Sequence, residues 1–349
     1  MNPKHLATLA ALAAISIATT AWVLRTSAPT VASDRRGENV VPSLLAKAND
    51  ITELSIRDGA DTFAIERRDD RFVASDSGYP VKPDVVSDVV ASTAGLTFQE
   101  ARTSDPARYG DLGLADPGGK EITFRTAGGE LASLLVGNSD TTVGGPSGGV
   151  FIRFKGQPQT FLVRGNVRLP SDGRPGWFVP MSFEVKRSEI KKVELTGGGR
   201  DSVTLLAATA VPGLASTGQQ GTLPGQFVLA DVPEKRTPDN LRASLLPSLV
   251  DSFTFEDVRK ATKPAADARR MVVEIGEGLQ IVFTTIGELT EGWVHITAEA
   301  TQDAAKDKAK LITSKVEGYD FRLRSSDRDH LGWTLADLSV EQKDGEQKN

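Results

Sequence analysis

From residue 49 onward the chain alternates short apolar runs with turn residues. Ile51, Leu54 and Ile56, then Phe63 and Ile65, then Phe72-Val73 are separated by Asp58-Gly59 and Asp69-Asp70, the chemistry of tight hairpin turns. That spacing predicts antiparallel strands. More strands are expected at Ile122 to Phe124, Leu131 to Val136, Val150 to Phe154 and Thr160 to Val163, with Gly128-Gly129 at one of the turns. The alternation then starts again. Ile190, Val193 and Leu195 precede Gly197-Gly198-Gly199, followed by Val203, Leu205 and Phe227-Val228-Leu229, then by Met271 to Ile275, Leu279 to Thr284 and Trp293 to Ile296, with Gly276-Glu277-Gly278 at the corresponding hairpin turn.

Two helices interrupt this pattern at matching places. Pro83 and Pro238 stand where a first helical turn tolerates proline, Asp84 and Asp239 follow where negative charge suits a helix N-terminus, and Thr237 is a candidate N-cap. Val86, Val90 and Ala94 predict one apolar stripe, and Leu241, Leu245 and Leu249 the same stripe in the second helix, which Pro247 should kink or shorten. A third helix is predicted over Ala304 to Val316, ended by Gly318, with Ala305, Ala309, Ile312 and Val316 on one side and lysines on the other.

These matches are part of a longer internal repeat. Phe72 to Asp76, Lys82-Pro83-Asp84 and Leu96 to Arg102 return as Phe227 to Asp231, Thr237-Pro238-Asp239 and Phe253 to Arg259, at a spacing of 155 residues for the first two blocks and 157 for the third. A repeat of this length predicts two similar folded units. The expected fold is α+β: two duplicated units, residues 49–188 and 189–341, each a mainly antiparallel sheet with a packed helix.

The N-terminal region has a different pattern. Leu6 to Leu24 carries no charge over 19 residues. As a helix it would extend roughly 28 Å, about the thickness of the hydrocarbon layer. The run is longer than the apolar part of a cleavable signal peptide, the alternative reading, for which Thr30-Val31-Ala32 offers a weak small-x-small cleavage site. Residues 1–25 are therefore expected to be a transmembrane anchor, 26–48 a linker and 342–349 a charged tail. Lys4 lies on one side of the span and Arg25, Arg35 and Arg36 on the other, so the charge count does not favour an outward body. Long domains cross largely regardless of nearby charge, and the expected location is the bacterial inner membrane, single-pass, with the body on the periplasmic side.

Composition narrows the chemistry. The chain has 349 residues, 39% hydrophobic and 25% charged, a net charge of -5 and no cysteine. The acidic balance argues against a nucleic-acid partner, and the lack of Cys removes disulfides, thiolate metal sites and cysteine nucleophiles. The run Gly144-Gly145-Pro146-Ser147-Gly148-Gly149 has no following Gly-Lys-Ser/Thr and leads into a strand, so it reads as a hairpin tip. Ser325, Ser326, Asp327, Asp329 and His330 resemble triad parts, but they crowd into one polar loop, whereas triads are assembled from separate elements. His5 precedes the anchor and His295 lies in a predicted strand, so the three histidines form no ligand spacing. Asp69-Asp70 and Glu256-Asp257 sit by turns or strand ends and read as solvated charge. Trp177, Phe178, Trp293, Tyr319 and Trp333 read as core or seam anchors. No catalytic, cofactor-binding or metal-ligating residue is assigned, no cofactor is expected, and the chain is not read as an enzyme.

One segment carries a family resemblance. Asp105-Pro106-Ala107-Arg108-Tyr109-Gly110 runs into Leu112-Gly113-Leu114-Ala115-Asp116-Pro117, followed by Leu135-Val136-Gly137 and Val150-Phe151-Ile152-Arg153. With the N-terminal anchor, Ile51-x-x-Leu54-x-Ile56 and Phe72 to Pro83, this resembles the bacterial domain-of-unknown-function 4340 family. The departure is that Phe72 and Phe227 stand where that family usually has Trp. The resemblance implies a membrane-anchored periplasmic protein associated with a gliding-motility-type ABC transport system, with permease or auxiliary subunits as partners. It carries over no catalytic or ligand residue. The function expected on this basis is a non-enzymatic accessory protein of an ABC-type export system that acts by protein–protein contact. The alternative is a periplasmic module that binds an envelope glycan or lipid between the two units.

Overall fold

The structure is a computed structural model, and it describes residues 35–116, 118–143, 148–210 and 225–342. The expected anchor, Pro117, the tip Gly144 to Ser147 and the tail from residue 343 lie outside the described residues. Among those described, no helix is long and apolar enough to cross a membrane.

The fold is mixed α/β, dominated by large antiparallel sheets. The first sheet holds β1 (Ile51–Asp58), β2 (Asp61–Arg68), β3 (Arg71–Ala74), β4 (Thr97–Ala101), β5 (Lys120–Thr126), β6 (Gly129–Asp140), β7 (Gly149–Phe154) and β8 (Thr160–Arg164), in the order β3-β2-β1-β5-β6-β7-β8-β4. The second holds β9 (Ile190–Thr196), β10 (Val203–Ala207), β11 (Phe227–Leu229), β13 (Asp257–Lys260), β14 (Arg270–Ile275), β15 (Leu279–Thr285), β16 (Trp293–Ala300) and β17 (Tyr319–Arg322), in the order β11-β10-β9-β14-β15-β16-β17-β13. Taken along the chain, the strands of both sheets follow one order: third, second, first, then fifth to eighth, with the fourth at the far edge. A two-stranded ribbon of β12 (Arg236–Pro238) and β18 (Ser339–Glu341) stands apart.

The strands form where alternation and turn chemistry agree. In β1, Ile51, Leu54 and Ile56 face the core, and in β9 Ile190, Val193 and Leu195 do the same. Asp69 and Asp70 both adopt positive φ, the backbone that a two-residue hairpin needs. Gly276 and Gly278 supply positive φ between β14 and β15.

The helices are α1 (Pro42–Ala46), α2 (Pro83–Ala94), α3 (Asn240–Ala243), α4 (Ser248–Asp251), α5 (Lys306–Val316) and α6 (Ser325–Gly332). Helix α2 begins at Pro83 and buries Val86, Val89, Val90, Thr93 and Ala94, with the expected stripe on its inner side. The second helix is broken in two by Pro247. Its N-cap is Asp239, which accepts from the Arg242 N–H at 2.9 Å, and Thr237 lies in β12. The expected leucine stripe is buried only at Leu249: Leu241 is 86% and Leu245 46% exposed, while Ala243, Leu246 and Val250 point inward with Leu249. Helix α5 buries Ala309, Ile312 and Val316 as its periodicity predicts, with Ala305 buried in the preceding turn. Ser325 to His330, read from sequence as a polar loop, lies in α6.

The chain divides into two compact units, Met1–Arg67 with Asp84–Leu169, and Arg68–Pro83 with Pro170–Asn349. The first has an aromatic cluster at Phe98, Phe154 and Phe161. The second is centred on Tyr79, Phe178, Phe255 and Phe321, with Phe183, Phe253 and Phe283 continuing the cluster at centroid separations of 5.1 to 6.0 Å. Tyr79 brings Arg68–Pro83 into that core: its ring meets four aromatics edge-on and its hydroxyl donates to the Val179 carbonyl at 3.1 Å.

Candidate functional site

Strand register on the second sheet gathers the densest cluster of polar chemistry. Asp320 in β17 stands opposite His295 in β16 on one side and Arg259 in β13 on the other. Its carboxylate is fully buried, at 0% side-chain exposure. Oδ1 lies 3.0 Å from His295 Nδ1, and Oδ2 accepts from the Thr262 N–H at 3.0 Å, the Thr262 hydroxyl at 2.8 Å and Arg259 Nε at 3.4 Å. A buried carboxylate needs such company, since an unpaired one costs several kcal/mol. Two residues along β16, the Trp293 ring carries the Arg259 guanidinium 4.2 Å from its centroid.

This arrangement resembles one half of a base-and-orienter pair, in which a carboxylate fixes the imidazole through Nδ1 and leaves Nε2 outward. Among the described residues, no hydroxyl hydrogen-bonds to Nε2, and no group of three or more His, Cys, Asp or Glu could hold a metal ion. What the geometry does hold is three strands in register through one carboxylate.

A second cluster surrounds α6. The His330 ring stacks on Trp333 at 4.2 Å, and the Arg242 guanidinium lies 4.9 Å from the Trp333 ring. Among the described residues, no hydrogen-bond partner reaches the buried His330 Nδ1. Burial pushes the His330 pKa down, against the pull of Asp327 and Asp329, and pushes the Asp327 carboxyl up. Next to this cluster Arg269, 4% exposed, donates to four backbone carbonyls: Leu331 at 3.2 Å, Trp333 at 2.7 Å, Gly197 at 3.1 Å and Asp201 at 3.0 Å. A cation at the C-terminal carbonyls of α6 suits the helix dipole and ties the helix to the β9–β10 turn.

In the first unit, the segment Asp105 to Asp116 forms a compact cap. Tyr109, Leu114 and Leu135 pack together, with Leu112, Ala115 and Phe151 around them. The Tyr109 hydroxyl donates to the Pro158 carbonyl at 2.6 Å, and Arg153 stacks on the ring at 4.6 Å. Gly113 has φ +70, and a side chain at Gly137 would collide with the Leu112 carbonyl and the Leu114 side chain. The paired glycines are required because two backbones touch there. Beside the cap, Arg57 bridges Asp116 at 2.8 Å and Glu121 at 2.9 Å, and Glu121 also accepts from Lys155 at 2.6 Å and Ser133 at 3.2 Å. Burial raises the Glu121 pKa, but the Lys155 and Arg57 hydrogen bonds outweigh it and hold the group at about 2.

Residues 72–268 match the family model described as a domain of unknown function, DUF4340. The chain belongs to that family. No curated protein and no solved structure matches it. The family match contains the cap and Gly137, and it ends before β14. Arg259, Thr262 and Arg242 fall inside it, while His295, Asp320, His330 and Trp333 fall beyond it.

Sequence reasoning assigned no site residue, so it missed the Asp320 cluster. One signal was present: an acid held between two aromatics in Tyr319-Asp320-Phe321. The crowded Ser325 to His330 run is helical; Asp327 and Asp329 both act on His330 electrostatically, and Asp329 also pairs with Arg328 at 3.2 Å. Trp177 and Phe178 are buried, whereas Trp293 and Trp333 are partly exposed beneath arginines.

Proposed function

We propose that the protein is a non-enzymatic, membrane-anchored accessory protein of an ABC-type export system in the bacterial envelope, acting by contact through its periplasmic body. Leu6 to Leu24 is its anchor, and its two sheets are copies of one unit. The observation that carries the contact reading is the outward turn of Leu241 and Leu245 on the broken helix, at positions that correspond to the buried Val86 and Val90 of α2. Exposed apolar side chains in α3 and in the turn that follows it, with Arg242 between them, suit a protein partner. The polar clusters agree with this reading. The Asp320 and Glu121 carboxylates are satisfied by internal donors, and the cap motif is occupied with packing.

The test is a photo-crosslinking residue at position 241 or 245 of the full chain in native membranes, with exposed Leu45 as the comparison site. Positions 241 and 245 should capture a transport permease or auxiliary subunit that position 45 does not. Capture of lipid alone, or the same products at all three positions, would remove the reading.

A further inference from the structure

The second sheet carries an element that the first does not. β7 and β8 are joined by a short turn, whereas β16 and β17 are joined through α5. This detour leaves β16 half covered. β15 pairs with it from Val294 to Ala300, but β17 pairs with it only from Trp293 to His295.

Main-chain groups point alternately to the two sides of an antiparallel strand. Ile286 N–H donates to the Trp293 carbonyl and Thr301 N–H to the Gly278 carbonyl, so odd-numbered residues of β16 face β15. Even-numbered ones face the other edge, where Leu323 N–H meets the Gly292 carbonyl. Ala298 and Ala300 therefore present their N–H and C=O groups to an edge that no described strand covers. Among the described residues the bond recorded there is a long one, from the Thr313 hydroxyl to the Ala298 carbonyl at 3.4 Å.

Between this edge and α5 runs an open groove of about 520 Å³, floored by Ala298, Ala300 and Ala309 and flanked by Lys306, Lys310 and Thr313. Lys308 and Lys315 of the same helix turn to Glu189 and Glu184, at 3.6 and 2.7 Å. Lys306 has an exposed partner one turn back, Asp303, and Lys310 has no ion pair among the described residues. Glu317 closes the far end.

We propose that this groove takes up an extended, acidic segment of another polypeptide, which adds to the free edge of β16 as a further strand. The alanine floor admits a backbone at close range, and an extended main chain satisfies the free N–H and C=O groups in alternation. An acyl chain would leave them unpaired. Lys306 and Lys310 select acidic side chains and reject basic ones. This surface is separate from Leu241 and Leu245, so it goes beyond the contact reading above and fails or holds independently of it.

The test is selection of random displayed dodecapeptides on the full chain, followed by fluorescence anisotropy with the selected peptides. Peptides with acidic residues at alternate positions should emerge. The Lys306→Glu/Lys310→Glu variant, altered only at exposed positions, should bind them at least tenfold more weakly. N-methylation of alternate amides on one edge of a peptide should abolish binding, and on the other edge should leave it intact. Ala298→Pro, which removes one outward N–H and spares the β15 side, should weaken binding without the charge change. Peptides indifferent to both the lysines and the N-methyl pattern would overturn the proposal. So would a groove that yields no peptide but binds phosphatidylglycerol vesicles through the same lysines.

Discussion

Helix α2 and the pair α3–α4 follow the third strand of two sheets with one strand order, yet they bury different positions of a shared sequence pattern. In α2 the residues at i, i+4 and i+8, Val86, Val90 and Ala94, all reach the core. In the second helix Pro247 lacks an N–H, and its ring crowds the carbonyl four residues back. The chain leaves the helix after Ala243 and re-enters at Ser248. Beyond the break Leu246, Leu249 and Val250 turn inward, while Leu241 in α3 and Leu245 in the break itself face solvent. A shared apolar spacing is thus core at all three positions in one unit and, in the other, core at Leu249 but surface at Leu241 and Leu245.

A charge placed at corresponding positions should affect the two helices very differently. Val86→Asp buries a carboxylate with no partner and should cost at least about 3 kcal/mol, enough to unfold a marginal unit. Leu241→Asp should stay within about 0.5 kcal/mol, as surface substitutions do. Denaturant unfolding of the two variants decides it, and equal losses would mean that α3 is packed after all.

Buried charge separates the units as well. In the first, Glu121 is met by two cations and a serine across β1, β6 and the end of β7. In the second, Asp320 is met by a histidine, an arginine and both donors of Thr262. Asp320 has no route to water, so removing it strands the Thr262 N–H and opens a void between three strands. Asp320→Ala should cost about 2 to 3 kcal/mol, and Asp320→Asn, which keeps the shape and one acceptor oxygen, about half of that. Urea unfolding measures both, and a loss below about 0.5 kcal/mol for the alanine variant would show that the cluster does not hold the strands.

What the sequence made legible was local. The inward faces of α2 and α5 follow from apolar spacing alone, and the hairpins from Asp-Gly, Asp-Asp and Gly-rich turns. Misreadings came where a distant residue or a phase break intervened. Ser325 to His330 looks like a polar loop because it carries no apolar stripe; the last carbonyls of α6 are held by Arg269, more than sixty positions away. The Asp320 cluster depends on the register of three strands, which periodicity does not specify. The cap around Tyr109 was visible as a motif, but its reason, the contact of Gly137 with the Leu112 backbone, needed three dimensions.

The smallest expected effect tests the other half of the charge comparison. Glu121 is less enclosed by its sheet than Asp320, and its partners Lys155 and Arg57 are themselves partly exposed, so the network should contribute only about 1 kcal/mol at neutral pH. Its sign with pH is fixed. The folded pKa of about 2 lies below the ordinary carboxylate value, so the stabilisation is present above the unfolded pKa and is lost as pH falls toward the folded one. Glu121→Gln keeps an acceptor for Lys155 and Ser133 but removes the charge. The difference in unfolding free energy between the parent and this variant should therefore hold from pH 7 to about 5 and shrink toward zero between about 4.5 and 2. Stability curves measured across that range read it directly. A difference that stays constant down to pH 3 would mean that Glu121 contributes by shape and hydrogen bonding rather than by its charge.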